Sequence, residues 1–137
     1  MKFIDLGLDQ RILDGIDAMG YETATPVQQQ VMVPILEGKD IIAAAQTGTG
    51  KTAAFLLPLL HRLLTSAHTA GDINALIIVP TRELAIQVSD ELNSLKGKKR
   101  LNILPIYGGQ PIDRQIMSLR KGIDIVQYFC RTRVPWR

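Results

Sequence analysis

Apolar positions along this chain follow a helical period in some stretches and short unbroken runs in others, and the alternation predicts its elements. Leu8, Ile12, Ile16 and Met19 recur at spacings of four, four and three, one helix face, with Gly20 as a stop signal. A second helix is predicted from Pro26, behind Thr25 as N-cap, through Val27, Val31 and Ile35 to about Glu37, closed by Gly38. Pro34 is a local conflict with that helix. Residues 41–44 form a short apolar run predicted as a strand, followed by a glycine-rich segment at 45–52 and a helical stretch. A second run, 75–79, stops at Pro80 and leads into Leu84, Val88, Leu92 and Leu95 at helical spacing. A third, 101–107, ends in Gly108-Gly109 and precedes a weaker helix at 112–119; a fourth, 123–126, follows Gly122. Residues 65–74 read as an exposed loop. Short apolar strands alternating with helices predict βαβ units: an α/β fold with an open, mostly parallel sheet and helices on both faces.

Length and composition narrow the class. The 137 residues suit one domain, and 46% hydrophobic with 21% charged is ordinary for a globular chain. A single cysteine, Cys130, excludes an intrachain disulfide framework and a multi-cysteine metal cluster. The longest apolar run, 53–60, is well short of the ~18 residues that suggest a membrane span. Asp5 and Asp9 do not suit a secretory signal, so a cytoplasmic location is the expectation. The net charge of +3 comes wholly from Arg131, Arg133 and Arg137; residues 1–126 carry 13 basic and 13 acidic side chains. Global charge therefore gives no argument for polyanion binding, which must rest on local sites. The basic run Lys96, Lys98, Lys99 and Arg100 suits a solvated helix end.

Ala45-Gln46-Thr47-Gly48-Thr49-Gly50-Lys51-Thr52 lies between a predicted strand and a predicted helix, the context of a phosphate-binding loop. Gly48 and Gly50 permit a tight turn whose backbone N–H groups point at a polyphosphate, and the next helix adds its positive end. Lys51 supplies a charge for the outer phosphates, and the Thr52 hydroxyl can ligate Mg²⁺. The generic pattern places Gly where this chain has Ala45. The expectation is magnesium-dependent nucleoside triphosphate binding.

With Ala45 in that place, the loop resembles that of the DEAD-box ATP-dependent RNA helicases. Gly20-Tyr21-Glu22-Thr23-Ala24-Thr25-Pro26-Val27-Gln28 resembles the family's Q motif, and Phe3, seventeen residues before Gly20, matches its isolated aromatic. Pro80-Thr81-Arg82-Glu83-Leu84 resembles motif Ia, and Tyr107-Gly108-Gly109 the GG motif. The likeness runs over residues 1–126, as the N-terminal portion of a RecA-like P-loop NTPase domain, truncated at its C-terminal side.

The resemblance implies roles. Gln28 would read an adenine edge through one donor and one acceptor and so select ATP over GTP. Phe3 would stack on the base, Tyr21 would line the same nucleotide site, and Thr25 would cap a helix and hold the phosphate loop. Pro80, Thr81, Arg82, Gly108 and Gly109 would form part of a track for the backbone of single-stranded or duplex RNA, positioning it without reading sequence. Arg82 also fits an ordinary helix-start ion pair, with Glu83 nearby.

After Val126 the family continues with another strand residue and Thr-Pro-Gly-Arg, whereas this chain reads Gln127 to Arg137 with its only Cys and only Trp. Residues 127–137 are expected to be a tail foreign to the fold, the alternative being a divergent terminal strand. No Asp-Glu-Ala-Asp pair follows, so the chain alone is expected to bind ATP with Mg²⁺ but neither to hydrolyse it nor to unwind RNA. An open sheet edge would favour dimers or aggregation. A stand-alone non-catalytic nucleotide-binding module and a non-helicase P-loop ATPase are the alternative readings.

Overall fold

The structure, a computed structural model, describes residues 1–67, 71–97 and 99–129. The described residues form two compact units: 1–67 with 94–97 and 99, and 71–93 with 100–129.

In the first unit a 3-10 turn, Phe3–Leu6, precedes α1 (Gln10–Ala18), α2 (Pro26–Leu36) and α3 (Lys51–Thr65). The N-terminal segment is pinned by a bridge between Lys2 and Thr23 and by the Ala24 N–H on the Met1 carbonyl. Asp9 caps α1, accepting from the Arg11 N–H at 2.9 Å, and Ile12 and Ile16 bury the predicted face. In α2, Thr25 and Gln28 form a reciprocal capping box, and Pro26 occupies the first turn. Pro34 sits within two residues of that helix's end, where a missing N–H costs one bond. Helix α3 buries seven of its 15 residues, among them Leu56, Leu57 and Leu60 with no exposed surface. Its Pro58 is buried within it.

Residues 41–44, expected as a strand, are not one: they pair with no strand among the described residues. A strand's N–H and C=O groups need a neighbour's ladder. Without it Ile42 stands fully exposed, at 104%, and Ile41 is exposed too.

In the second unit β1 (Ala75–Val79), β2 (Ile103–Ile106) and β3 (Ile125–Phe129) form a parallel sheet in the order β1-β3-β2. The chain passes through α4 (Arg82–Lys96) between β1 and β2, and through α5 (Ile112–Arg120) between β2 and β3. The Asp124 carboxylate accepts from the Asn102 N–H at 2.9 Å, and the Asp124 carbonyl accepts from Asn74 and Ala75, tying the starts of the three strands together. β3 is central and buried at Ile125, Val126 and Gln127. The boundary expected at 126 falls inside this strand. Its register continues through Ile77 with Gln127 and Ile78 with Tyr128 to Val79 with Phe129, because backbone pairing is indifferent to side-chain identity. Residues 130–137, with Cys130 and Trp136, lie outside the described residues. No described helix is long and apolar enough to cross a membrane.

Candidate nucleotide and anion sites

The glycine-rich loop of the first unit takes the shape its composition demands. Gly48 and Gly50 both hold φ +80°, the left-handed region. Among the described residues no non-glycine residue has positive φ, so Ala45 needs no glycine freedom and the departure at that position carries no strain. The Thr49 hydroxyl closes the turn, donating to the Gln46 carbonyl at 2.7 Å. Gly50 is the N-cap of α3 and has no side chain to offer its first turn. The first N–H groups of the helix have no intrahelical acceptor there, at its positive end. Lys51 is exposed, its ammonium folded onto the Ala45 carbonyl, and Thr52 is half-buried in the same turn. Gln46, Thr47 and Gly48 are exposed. A cleft of ≈ 410 Å³ opens beside Lys51 and Thr52, walled by Val31, Ile35, Ile41 and Phe55.

Behind the loop stand Thr25 and Gln28. The Thr25 hydroxyl donates to the Thr49 carbonyl at 2.8 Å. Gln28, only 5% exposed, accepts from the Thr25 N–H at 2.9 Å through Oε1 and donates to the Gly50 carbonyl at 3.1 Å through Nε2. Sequence reasoning assigned Gln28 to a base edge and missed this bracing role. The signal was present as Thr25 followed by Gln28 three residues on, a capping box. A carboxamide has two N–H donors and two acceptor lone pairs, so one of each remains for a ligand.

The two aromatics differ. Phe3 is buried at 4% exposure, which leaves its ring little free face for stacking on a base, whereas Tyr21 is 47% exposed. Both line a second cleft of ≈ 490 Å³ with Asp14, Asp17 and Glu22.

In the second unit, Pro80 ends β1 and the Thr81 hydroxyl caps α4, accepting from the Leu84 N–H at 3.1 Å. Arg82 is exposed and lies 5.5 Å over the Tyr107 ring. Among the described residues it makes no ion pair. The helix-start pair with Glu83 is thus not formed. Gly108 and Gly109 are exposed, and Gly109 has φ +89°. Thr81, Arg82, Tyr107 and the two glycines thus share one end of the sheet, beyond the carboxyl ends of β1 and β2.

The DEAD/DEAH box helicase family model matches residues 25–130. The chain belongs to this family. Among curated relatives it is similar to the ATP-dependent RNA helicase CshA of Listeria monocytogenes, 51% identical over 125 residues, covering 91% of this chain and 24% of that protein. The DEAD-box ATP-dependent RNA helicase CshA of Bacillus subtilis is 48% identical over 126 residues, covering 92% and 25%. Among solved structures, a DEAD box protein from the hyperthermophile Methanococcus jannaschii matches with a TM-score of 0.85 and 44% identity, over 94% of this chain and 34% of that one. The RNA helicase Prp28 of Chaetomium thermophilum, solved bound to ADP, matches at 0.83 and 35% identity, over 93% and 32%. The chain spans about a quarter of the length of the curated relatives it matches. The family's helicase domain gives the RecA-like α/β fold with its open parallel sheet.

Proposed function

We propose that this chain is the ATP- and RNA-binding part of an ATP-dependent RNA helicase, acting in the cytoplasm. The observation that carries the reading is the loop at 45–52: two left-handed glycines deliver the chain to a helix start with no side-chain cap, beside Lys51 and Thr52. Such a turn aims backbone N–H groups and a positive helix end at one point, which suits a polyphosphate. Lys51 would leave the Ala45 carbonyl for the outer phosphates, and Thr52 would hold Mg²⁺, which neutralises phosphate charge when bound. The spare donor and acceptor of Gln28 suit an adenine edge, and the similar Prp28 helicase was solved bound to ADP, which supports an adenine nucleotide as the ligand. With Phe3 buried, Tyr21 is the aromatic with a free face for a base.

Thr81, Arg82, Gly108 and Gly109 offer hydroxyl, guanidinium and bare backbone N–H groups, donors that suit an RNA backbone. Hydrolysis and unwinding would belong to a protein of the relatives' full length. The 137 residues hold no Asp-Glu-Ala-Asp sequence to orient a water, so this chain alone would turn over ATP negligibly.

Titration calorimetry with magnesium tests the reading: heat is expected for ATP and much less for GTP. No heat for ATP, or equal heat for both, overturns it. Robust phosphate release from the chain with RNA would overturn the statement on hydrolysis.

A further inference from the structure

Arg82 is a cation placed where a helix does not favour one. It opens α4, at the end that carries partial positive charge, and among the described residues no carboxylate lies within ion-pair distance. Its guanidinium instead lies over the face of Tyr107, 5.5 Å from the ring centroid. Gly109 lies beside it: a Cβ there would stand 3.5 Å from Nη2, in ordinary van der Waals contact. Tyr107 is itself held at two points. The Gln110 side chain donates to its hydroxyl at 2.8 Å, and Gln115 donates to its carbonyl oxygen at 3.3 Å.

We propose that Tyr107 is a positioning residue that holds the Arg82 guanidinium ready for a backbone phosphate, with Gln110 fixing the ring. The inference rests on the RNA-backbone reading above. An exposed arginine samples many rotamers, and ordering it on binding costs affinity. The negative face of an aromatic ring attracts the cation and narrows that sampling before any ligand arrives. A guanidinium held by its face keeps N–H groups at its edge free for an anion, which a lysine ammonium could not present in the same planar way. Leucine at position 107 would keep the bulk and lose the attraction.

The test measures binding of the 137-residue chain to a fluorescent oligouridylate by anisotropy, for wild type, Arg82→Ala, Tyr107→Leu, Tyr107→Phe and the Arg82→Ala/Tyr107→Leu pair. Arg82→Ala is expected to weaken binding roughly ten-fold or more. Tyr107→Leu should weaken it about two- to five-fold, the range a surface cation–π contact converts to. Tyr107→Phe, which keeps the ring but loses the Gln110 bond, should fall between wild type and Tyr107→Leu, and Tyr107→Leu should add nothing once Arg82 is gone. In NMR spectra of the free protein, the Arg82 side-chain protons should carry a ring-current shift that diminishes alike in Tyr107→Phe and Gln110→Ala, which lose the same hydrogen bond, and vanishes in Tyr107→Leu. Loss with Arg82→Ala but none with Tyr107→Leu overturns the positioning role and leaves the RNA reading standing. Full additivity of the two substitutions, or no ring-current shift on Arg82, does the same. If Arg82→Ala binds as wild type, the RNA reading falls and this proposal with it. Should Tyr107→Leu fail to fold, the spectra of wild type, Tyr107→Phe and Gln110→Ala decide.

Discussion

The side-chain amide of Gln28 donates to the carbonyl oxygen of Gly50 at 3.1 Å, joining the first turn of α2 to the N-cap of α3 across 22 residues of sequence. Together with the Thr25 hydroxyl on Thr49, this bond braces the glycine-rich loop from behind, on the side away from solvent. Loop shape and helix capping therefore share the same two side chains.

That bond separates two glycines with the same backbone angle. A Cβ at Gly48 meets nothing within 4 Å, but at Gly50 it would stand 2.4 Å from the Gln28 Nε2. Gly48→Ala should incur only the left-handed strain, roughly 1–2 kcal/mol. Gly50→Ala should lose more, in denaturation midpoint and in ATP affinity alike. Adding Gln28→Ala should recover part of the extra loss. Equal effects of the two single substitutions would refute the bracing role.

Lys51 is exposed and its partner is a loop carbonyl. Lys51→Ala should leave the melting temperature nearly unchanged, since little surface is buried there. Its ATP affinity should drop about ten-fold or more, the loss of one charge-assisted contact. Calorimetry beside thermal melts checks both halves.

Asp9 shows how acid should act on the first unit. Hydrogen bonds from the Arg11 side chain and backbone N–H hold its carboxyl down to about 2, against an ordinary 3.8. The folded state then binds fewer protons than the unfolded one between those values. Its stabilisation is present above about pH 4 and is lost as the pH falls towards 2. Asp9→Asn keeps a capping oxygen but no charge. The gap between wild type and variant in urea midpoint should therefore narrow from pH 5 to pH 2. A gap independent of pH would contradict the assignment.

Gln127 occupies the central strand with no exposed surface, and neither its Nε2 nor its Oε1 finds a partner among the described residues. Burying an unpaired amide is costly, and Ile125, on the same face two residues earlier, is also wholly buried. Gln127→Val should stabilise the second unit by about 1–3 kcal/mol, seen as a higher melting temperature. A lower one would mean the amide has found a partner.

Local chemistry made much of this protein readable in advance. Helices α1 and α2 follow from Ile12, Ile16, Thr25 and Pro26, because spacing and capping act within one or two turns. The shape of the glycine-rich loop follows from Gly48 and Gly50, since only glycine takes φ +80° cheaply. What tertiary structure decided involves partners far along the chain. Residues 41–44 have the composition of a strand, but a strand exists only where another supplies its hydrogen bonds. β3 runs on to Phe129 for the converse reason, since the backbones of β1 and β2 lie alongside whatever side chains follow Val126. The Gln28 amide turned to Gly50, and the Arg82 guanidinium to Tyr107 rather than Glu83, because folding brought those groups within reach. Sequence sets which bonds a residue can make, and only the folded chain sets which partner arrives.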